Sequence, residues 1–346
     1  MEKINKLKKI LKKEKIDGYL VPKNNEFFGE YVDSCDDRLK YISNFTGSLG
    51  FSLILSDNRY LFVDGRYTLQ ALKQSGKNFK VVTFPNKMPY EILKDKRLLI
   101  GFDPKIFTKK TLATFFTKNK CRFVPIKNNL VDKIWKRKRK EKNKKFYSLP
   151  SNSVGISHNL KVQKIISNLK KRGADFLFVT SCENVAWLLN IRGNDTRYSP
   201  IPYSYVLIDK NKNIVFFSDL KKISSSLKKY LKNIKIIDIK LTQNILSKYY
   251  KKKFIIDSHT CSFYFENEII KKNKILSDID PIYQLKSMKS HKEIKNVIKA
   301  HIYDGAALTK YLFWLKKNFE KKKITEISAS QKLYSFRKIN KKFKFS

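Results

Sequence analysis

The sequence predicts an α/β protein in which one α/β unit occurs twice, followed by the first helices of a third unit that is begun and left incomplete. Three observations predict it. Short apolar strands alternate with helical patterns from Ile4 to Pro125. The same landmarks return in the same order after Pro150. Beyond Pro281 the texture changes to long helical periodicity.

Ile4, Leu7, Ile10 and Leu11 recur at helical spacing and predict an amphipathic first helix, broken by Asp17-Gly18. Tyr19-Leu20-Val21 reads as a short buried strand ended by Pro22. Residues 51–55 and 60–63 are two more strands, and Ser56-Asp57-Asn58-Arg59 between them has the composition of a hairpin turn. A helix over 67–74, strands over 79–84 and 98–102, a helix over 107–118 and an extended 122–125 complete the first unit. The second begins with an amphipathic helix over 162–169. Gly173-Ala174-Asp175 and the strand 176–179 follow, echoing Ile16-Asp17-Gly18 and Tyr19-Leu20-Val21. Strands 205–208 and 214–217 flank the turn 209–213, and Lys253-Phe254-Ile255-Ile256-Asp257 echoes residues 97–103. The basic segment 136–150 is the natural linker, which divides the chain into 1–135, 151–283 and 284–346. In the last part, a helix over 293–317 precedes one that starts at Thr325-Glu326, with Thr as N-cap and a carboxylate in the first turn.

The net charge is +45, from 75 Lys and Arg against 30 Asp and Glu. The lysines are spread along the whole length among Ile and Asn, whereas a phosphate-binding face is a localised patch rich in Arg. Only Lys136-Arg137-Lys138-Arg139-Lys140 is dense, and it reads as a solvated linker. A specific nucleic-acid partner is therefore not expected. Cys35, Cys121, Cys182 and Cys261 lie far apart without a C-x-x-C pair, as free thiols in a reducing compartment do. Lysines interrupt the first fifteen residues, so no secretory h-region forms there, and no apolar run is long enough for a membrane span. The expected location is the cytoplasm, with no membrane partner.

Spacing alone shows no catalytic apparatus. His158, His259, His291 and His301 form no H-E-x-x-H pattern, and there is no G-x-S-x-G, P-loop or G-x-G-x-x-G. His259 with Cys261 reads as packing, and Cys182 as a small buried residue. Two loops are nonetheless unusual. Residues 33–50 crowd acids, glycines and aromatics together, with Asp64-Gly65-Arg66-Tyr67 following at a strand end. Residues 187–195 lead into a proline- and tyrosine-rich stretch, 198–205. Asp64 can serve merely as a helix cap and Arg192 as part of a structural salt bridge. An Arg at a strand-to-helix junction can also face a cleft, where its planar fork holds a carboxylate or a peptide carbonyl.

At these loops the chain resembles a known family. Residues 33–50 with 62–71 look like the first creatinase-type N-terminal domain of cytosolic aminopeptidase P (Xaa-Pro aminopeptidase), and 125–135 resembles that domain's end. Residues 187–195 and Pro202-Tyr203-Ser204-Tyr205 resemble the second such domain. Lys286-Ser287, Glu293 and 300–308 resemble the first helix of the pita-bread metallopeptidase domain, and 325–329 the start of its second. The fold implied is two tandem creatinase N-terminal-like α/β domains, then the first helices of an incomplete pita-bread domain.

The resemblance also implies an activity, the hydrolysis of an N-terminal residue before a penultimate proline. In the family, two divalent cations, usually manganese, do this from a cage of Asp, His and Glu in the pita-bread domain. The match implies that this cage lies beyond Ser346, so no cofactor, metal ligand or catalytic residue is expected here, and His301 and Asp304 are expected to pack or face solvent. One functional residue carries over. Arg66, in the Asp-Gly-Arg-Tyr motif, is implied as a substrate contact, while Arg192 and Asp195 are expected to be interdomain or structural. The expectation is the N-terminal part of an Xaa-Pro aminopeptidase, inactive alone and acting on peptides with penultimate proline when intact. It would work as a homodimer or with a separately encoded catalytic part. The alternative is a non-catalytic dimerisation or peptide-binding module.

Overall fold

The computed structural model describes residues 1–346 except 118, 138–143, 322 and 345–346. The core of the basic cluster, Lys138 to Lys140, therefore lies outside the described residues, as does the last residue of the helix expected over 107–118.

Helix α1 (Glu2–Lys13) buries Ile4, Leu7 and Leu11 and leaves its lysines in water. Strand β1 (Gly18–Pro22) follows and is buried throughout. Alternation along it splits the core, because Tyr19 and Val21 join the cluster under α1 while Leu20 joins Phe51, Leu53 and Phe62 on the opposite face. Next come α2 (Arg38–Ser43), β2 (Phe51–Leu55), β3 (Arg59–Asp64), α3 (Thr68–Ser75) and β4 (Lys80–Phe84). Helix α4 (Pro89–Leu93), β5 (Leu99–Phe102), α5 (Lys109–Phe116) and β6 (Arg122–Pro125) close the unit. Its six-stranded sheet has the order β4-β3-β2-β1-β5-β6. The β1–β2 and β2–β3 pairs are antiparallel, and the others are parallel. Within the expected loop 33–50 the structure places a helix. Asp37 starts α2 by accepting the Lys40 amide at 3.0 Å, and Leu39 and Ile42 are buried one turn apart.

A short strand β7 (Tyr147–Ser148), α6 (His158–Lys171), β8 (Phe176–Val179), α7 (Cys182–Leu189) and β9 (Ile191–Arg192) open the second half. They lead to β10 (Ser204–Asp209), β11 (Ile214–Ser218), α8 (Ser225–Tyr230), β12 (Lys235–Asp238) and α9 (Thr242–Leu246). Strand β13 (Lys253–Ile256), α10 (Phe263–Ile270) and β14 (Lys274–Ser277) complete a sheet of order β12-β11-β10-β8-β13-β14. Replacing each strand by its counterpart turns one order into the other, with the same parallel and antiparallel pairs.

The repeat extends to single hydrogen bonds. Asp17 donates its amide to Leu99 O (2.8 Å) and accepts the Leu99 amide on Oδ2 (2.7 Å). Asp175 does the same with Lys253, at 2.8 and 2.9 Å. Each Asp thereby ties the start of the central strand to its parallel neighbour. At the far ends of β5 and β13, Asp103 and Asp257 each accept the amide two residues on, from Lys105 and His259, at 2.9 Å.

The two units exchange aromatics. Phe27, from the loop after β1, stacks on Tyr203 at 4.1 Å and packs into the core around Phe176, Phe178 and Tyr205. Phe263, the first residue of α10, packs edge-on against Phe102 at 5.0 Å within the first unit's core. The amides of Phe263 and Tyr264 donate to Phe107 O and Pro104 O across the same contact.

Helix α11 (Pro281–Ser287) packs on α6 and α7. The long α12 (His291–Asn318) and α13 (Glu326–Lys338) pack on each other. Ser290 and Glu293 form a capping box at the start of α12, and Thr325 caps α13 by accepting the Ser328 amide. The N-terminal end of α12 is tied to the second unit through Lys292 Nζ to Ser151 O and Asn296 Nδ2 to Ser153 O. Farther along, Ile298, Ile302, Leu312 and Phe313 are more than half exposed.

Candidate substrate-contact site

Strand β3 is buried over Leu61, Phe62 and Val63 and surfaces at Asp64. The chain then makes one 3-10 turn over Gly65–Tyr67 before α3. Asp64 Oδ1 accepts the Arg66 amide at 2.9 Å, the capping role open to it from sequence. The same carboxylate also grips the Arg66 side chain. Nε donates to Oδ1 and Oδ2 at 3.2 and 3.1 Å, and Nη2 to Oδ2 at 2.6 Å. This second engagement was missed in the sequence, where only the i,i+2 spacing of an acid and an Arg could have signalled it. The Arg66 side chain is 69% exposed and Asp64's only 18%, so a seated carboxylate holds a guanidinium standing in water. Arg66 holds the Asp64 carboxyl below its ordinary value, chiefly by hydrogen bonding, and Asp64 raises the guanidinium in the same way.

Loop 44–50 braces this turn. Tyr67 OH is 2.6 Å from Ser48 Oγ, and its ring meets Phe45 edge-on at 5.9 Å. The Thr46 amide donates to Gln74 Oε1 on α3. Gly47 is required by close approach, since a Cβ there would lie 2.2 Å from the Phe45 ring.

Near that loop, Asp36 and Asp132 are paired with arginines. Arg38, 3% exposed, donates Nε and Nη2 to the two oxygens of Asp132, both at 2.8 Å. Arg137 bonds Asp132 and Asp36, so the first residues of the expected linker are tied onto the first unit. In the second flagged loop, residues 187–189 belong to α7, and Asn190 ends that helix in the left-handed conformation. Among the described residues Arg192 makes no salt bridge; its Nη1 donates to the carbonyls of Ala186 and Ile191 at 3.1 and 2.8 Å. Asp195, 2% exposed, accepts Lys222 Nζ at 2.6 Å and the Tyr203 amide at 2.8 Å.

The segment after β1 meets the 198–205 stretch. Asn25 Nδ2 donates to Tyr203 OH at 3.0 Å, Tyr205 OH donates to Glu26 O at 2.9 Å, and Tyr31 meets Tyr198. Beside them opens a cleft of about 1440 Å³, lined by Asp33, Arg197 and Tyr203 among others and by Tyr334 of α13. Arg66 does not line it; the structure keeps the two features apart.

Among the described residues, no group of three or more His, Cys, Asp or Glu is placed to hold a metal ion, so these residues do not fit a metal pair. Asp304 is paired with Arg337 of α13 at 2.6 Å, and His301 Nδ1 lies 2.9 Å from Val297 O. Burial pushes the Cys182 thiol up to about 12 and raises Cys261 well above its ordinary value. No helix among the described residues is long and apolar enough to cross a membrane.

Residues 3–134 and 137–293 each match the family described as Creatinase/Prolidase N-terminal domain. The "Probable Xaa-Pro aminopeptidase P" of Laccaria bicolor is 30% identical over 97% of this chain and 55% of its own length. The "Xaa-Pro aminopeptidase ApepP" of Drosophila melanogaster is 29% identical over 95% of this chain and 56% of its own. The X-prolyl aminopeptidase of Caenorhabditis elegans, described as a cytosolic enzyme with a di-nuclear active site, superposes with a TM-score of 0.91. It is 25% identical, over 99% of this chain and 60% of that one. The chain thus spans somewhat more than half the length of these relatives. With two matched segments covering most of its residues, each one of the two six-stranded units, the chain belongs to the Creatinase/Prolidase N-terminal domain family.

Proposed function

We propose that this chain is the substrate-docking part of a metal-dependent Xaa-Pro aminopeptidase, and that Arg66 is its contact with the peptide. What carries the reading is the collinear likeness over 99% of the chain to an X-prolyl aminopeptidase, at a TM-score of 0.91. The exposed, seated guanidinium of Arg66 supports the contact role, since a fork held at one edge is preorganised for a carbonyl or carboxylate. The intact enzyme would remove the residue before a penultimate proline, in the cytoplasm, with two divalent cations such as manganese. Their ligands would come from the part of the relatives that this chain does not match. We take 1–135 and 151–283 as the docking units, 136–150 as their linker and 284–346 as the start of the third, pita-bread domain.

On this reading the 346 residues alone release no N-terminal residue from an Xaa-Pro peptide, with or without added manganese. Mixing with a protein that supplies the remainder restores release, and Arg66→Ala then raises KM more than it lowers kcat. Turnover by the pure chain would overturn the proposal. A second reading, a dimerisation or peptide-binding module, is favoured by the uncovered apolar side chains of α12 and α13. Size-exclusion chromatography distinguishes the two. A stable dimer that binds peptide but is not rescued by the remainder supports the module.

A further inference from the structure

We propose that Asp64 is a specificity-determining positioning residue: it cancels the charge of Arg66 and leaves the outer guanidinium edge for a neutral peptide carbonyl in preference to a free carboxylate. This rests on the reading of Arg66 as the peptide contact.

A guanidinium carries five N–H donors in a fixed plane. Asp64 occupies Nε–H and one Nη2–H, at 3.1–3.2 Å and 2.6 Å. Nη1 makes no hydrogen bond with the described residues, so both of its hydrogens and the second Nη2 hydrogen face outward. An incoming oxygen can therefore still be gripped by two donors. What has changed is the field it meets. An isolated Arg presents a full positive charge and favours a carboxylate. Here the anion already bound at the inner edge repels a second anion across the width of one guanidinium. A carbonyl brings a dipole and no charge, so it keeps its hydrogen bonds and escapes that repulsion.

The residue next in the chain adds no charge of its own. Tyr67 supplies its ring, 5.2 Å from the Arg66 guanidinium carbon, and its hydroxyl is engaged with Ser48. The approach is open, since a Cβ on Gly65 would meet nothing within 4 Å. Asp64 cannot easily swing away, because its Oδ1 also accepts the Arg66 amide. The selected ligand class is thus a peptide whose chain continues past the gripped residue and offers a carbonyl there.

The test is residue-specific NMR of the Arg66 Nε–H in the full chain, assigned by its loss in Arg66→Lys. Acetate and N-methylacetamide are titrated at constant ionic strength. Asp64→Asn keeps an oxygen for the Arg66 amide and removes the negative charge. The expected result is that the acetate affinity at Arg66 rises on the order of fivefold over wild type, while the amide affinity changes little. An unchanged acetate-to-amide ratio in Asp64→Asn, with Arg66 responding to both probes, overturns the role of Asp64 and leaves the contact role of Arg66 intact. No response to either probe in either protein overturns both.

Discussion

Removing the Arg38 side chain should unfasten the first unit by an amount that can be worked from its contacts. Arg38 is 3% exposed, and its fork meets both oxygens of Asp132 at 2.8 Å. Breaking a buried pair by deleting one partner costs about 3–5 kcal/mol, because the other charge is left uncompensated. Two features place this site at the low end. The Asp132 side chain is 26% exposed, and Arg137 Nη2 still reaches it at 2.7 Å. Arg38→Ala should therefore cost about 3 kcal/mol. Arg38→Lys, which keeps the charge but loses the parallel fork, should cost about half as much.

The chain offers a local assay, since one of its three tryptophans lies in each part: Trp135, Trp187 and Trp314. Trp135 stacks on Tyr41 at 4.7 Å, and Tyr41 OH donates to Ile134 O, so its fluorescence reports the region that Arg38 and Asp132 fasten. Urea titration in a Trp187→Phe, Trp314→Phe background isolates that signal. The double variant Arg38→Ala, Asp132→Ala should lose less than the sum of the two singles, because it leaves no orphaned charge. A loss below about 1 kcal/mol for Arg38→Ala, or strict additivity in the cycle, would refute the reasoning.

The remaining predictions draw on other contacts. Asp280, 3% exposed, caps α11 and accepts Asn184 Nδ2 at 2.8 Å; burial pushes its carboxyl up from 3.8 to about 6. The folded chain thus holds this proton more tightly than the unfolded chain. Its contribution is complete below pH 3.8, fades as pH rises to about 6 and amounts to at most about 3 kcal/mol. Comparing unfolding free energies across pH 4–6.5, Asp280→Asn should remove that downward slope; an identical slope would contradict the assignment. Asp17→Ala and Asp175→Ala should each cost about 1–2 kcal/mol, read at Trp135 and Trp187 respectively, since each removes the acceptor of one strand amide. A cost confined to one of them would break the equivalence of the two braces. Asp304→Ala, on an exposed pair with Arg337, should shift stability by less than about 1 kcal/mol in thermal melts.

Much of the fold was legible because local signals and burial agree. The apolar runs 51–55 and 60–63 became β2 and β3, and the Asp-Gly and Gly-Ala-Asp breaks mark the starts of β1 and β8 in the two units. The repeat was visible in Asp17 and Asp175, which bond identically although few neighbouring residues match. Helix α2 was not read, because Asp33, Asp36 and Asp37 at one end and Gly47 and Gly50 at the other give 33–50 the look of a loop. The cue was the Asp37 cap followed by Leu39 and Ile42. In the flagged 187–195 stretch, α7 continues to Leu189, where Asn190 stops it by a left-handed turn that composition does not announce. Arg66 was legible as a strand-end Arg beside a polar loop. Its grip by Asp64 was not, since both partners sit on a surface where spacing alone permits many pairings. The meeting of Phe27 with Tyr203 joins residues far apart in the chain, and no periodicity encodes it.

Thr108 and Ser262 occupy equivalent positions, each accepting the amide of the third residue of α5 or α10. The residues just after them, Lys109 and Phe263, are therefore counterparts, and they meet: the Lys109 ammonium stands 5.7 Å from the centre of the Phe263 ring and also reaches Glu266. At this one point counterparts of the two units face each other, as residues beside a twofold axis do. A true twofold would oblige both sides to carry the same residue, cation on cation or ring on ring. Within one chain that constraint does not apply, and here one side is the cation and the other the π-face.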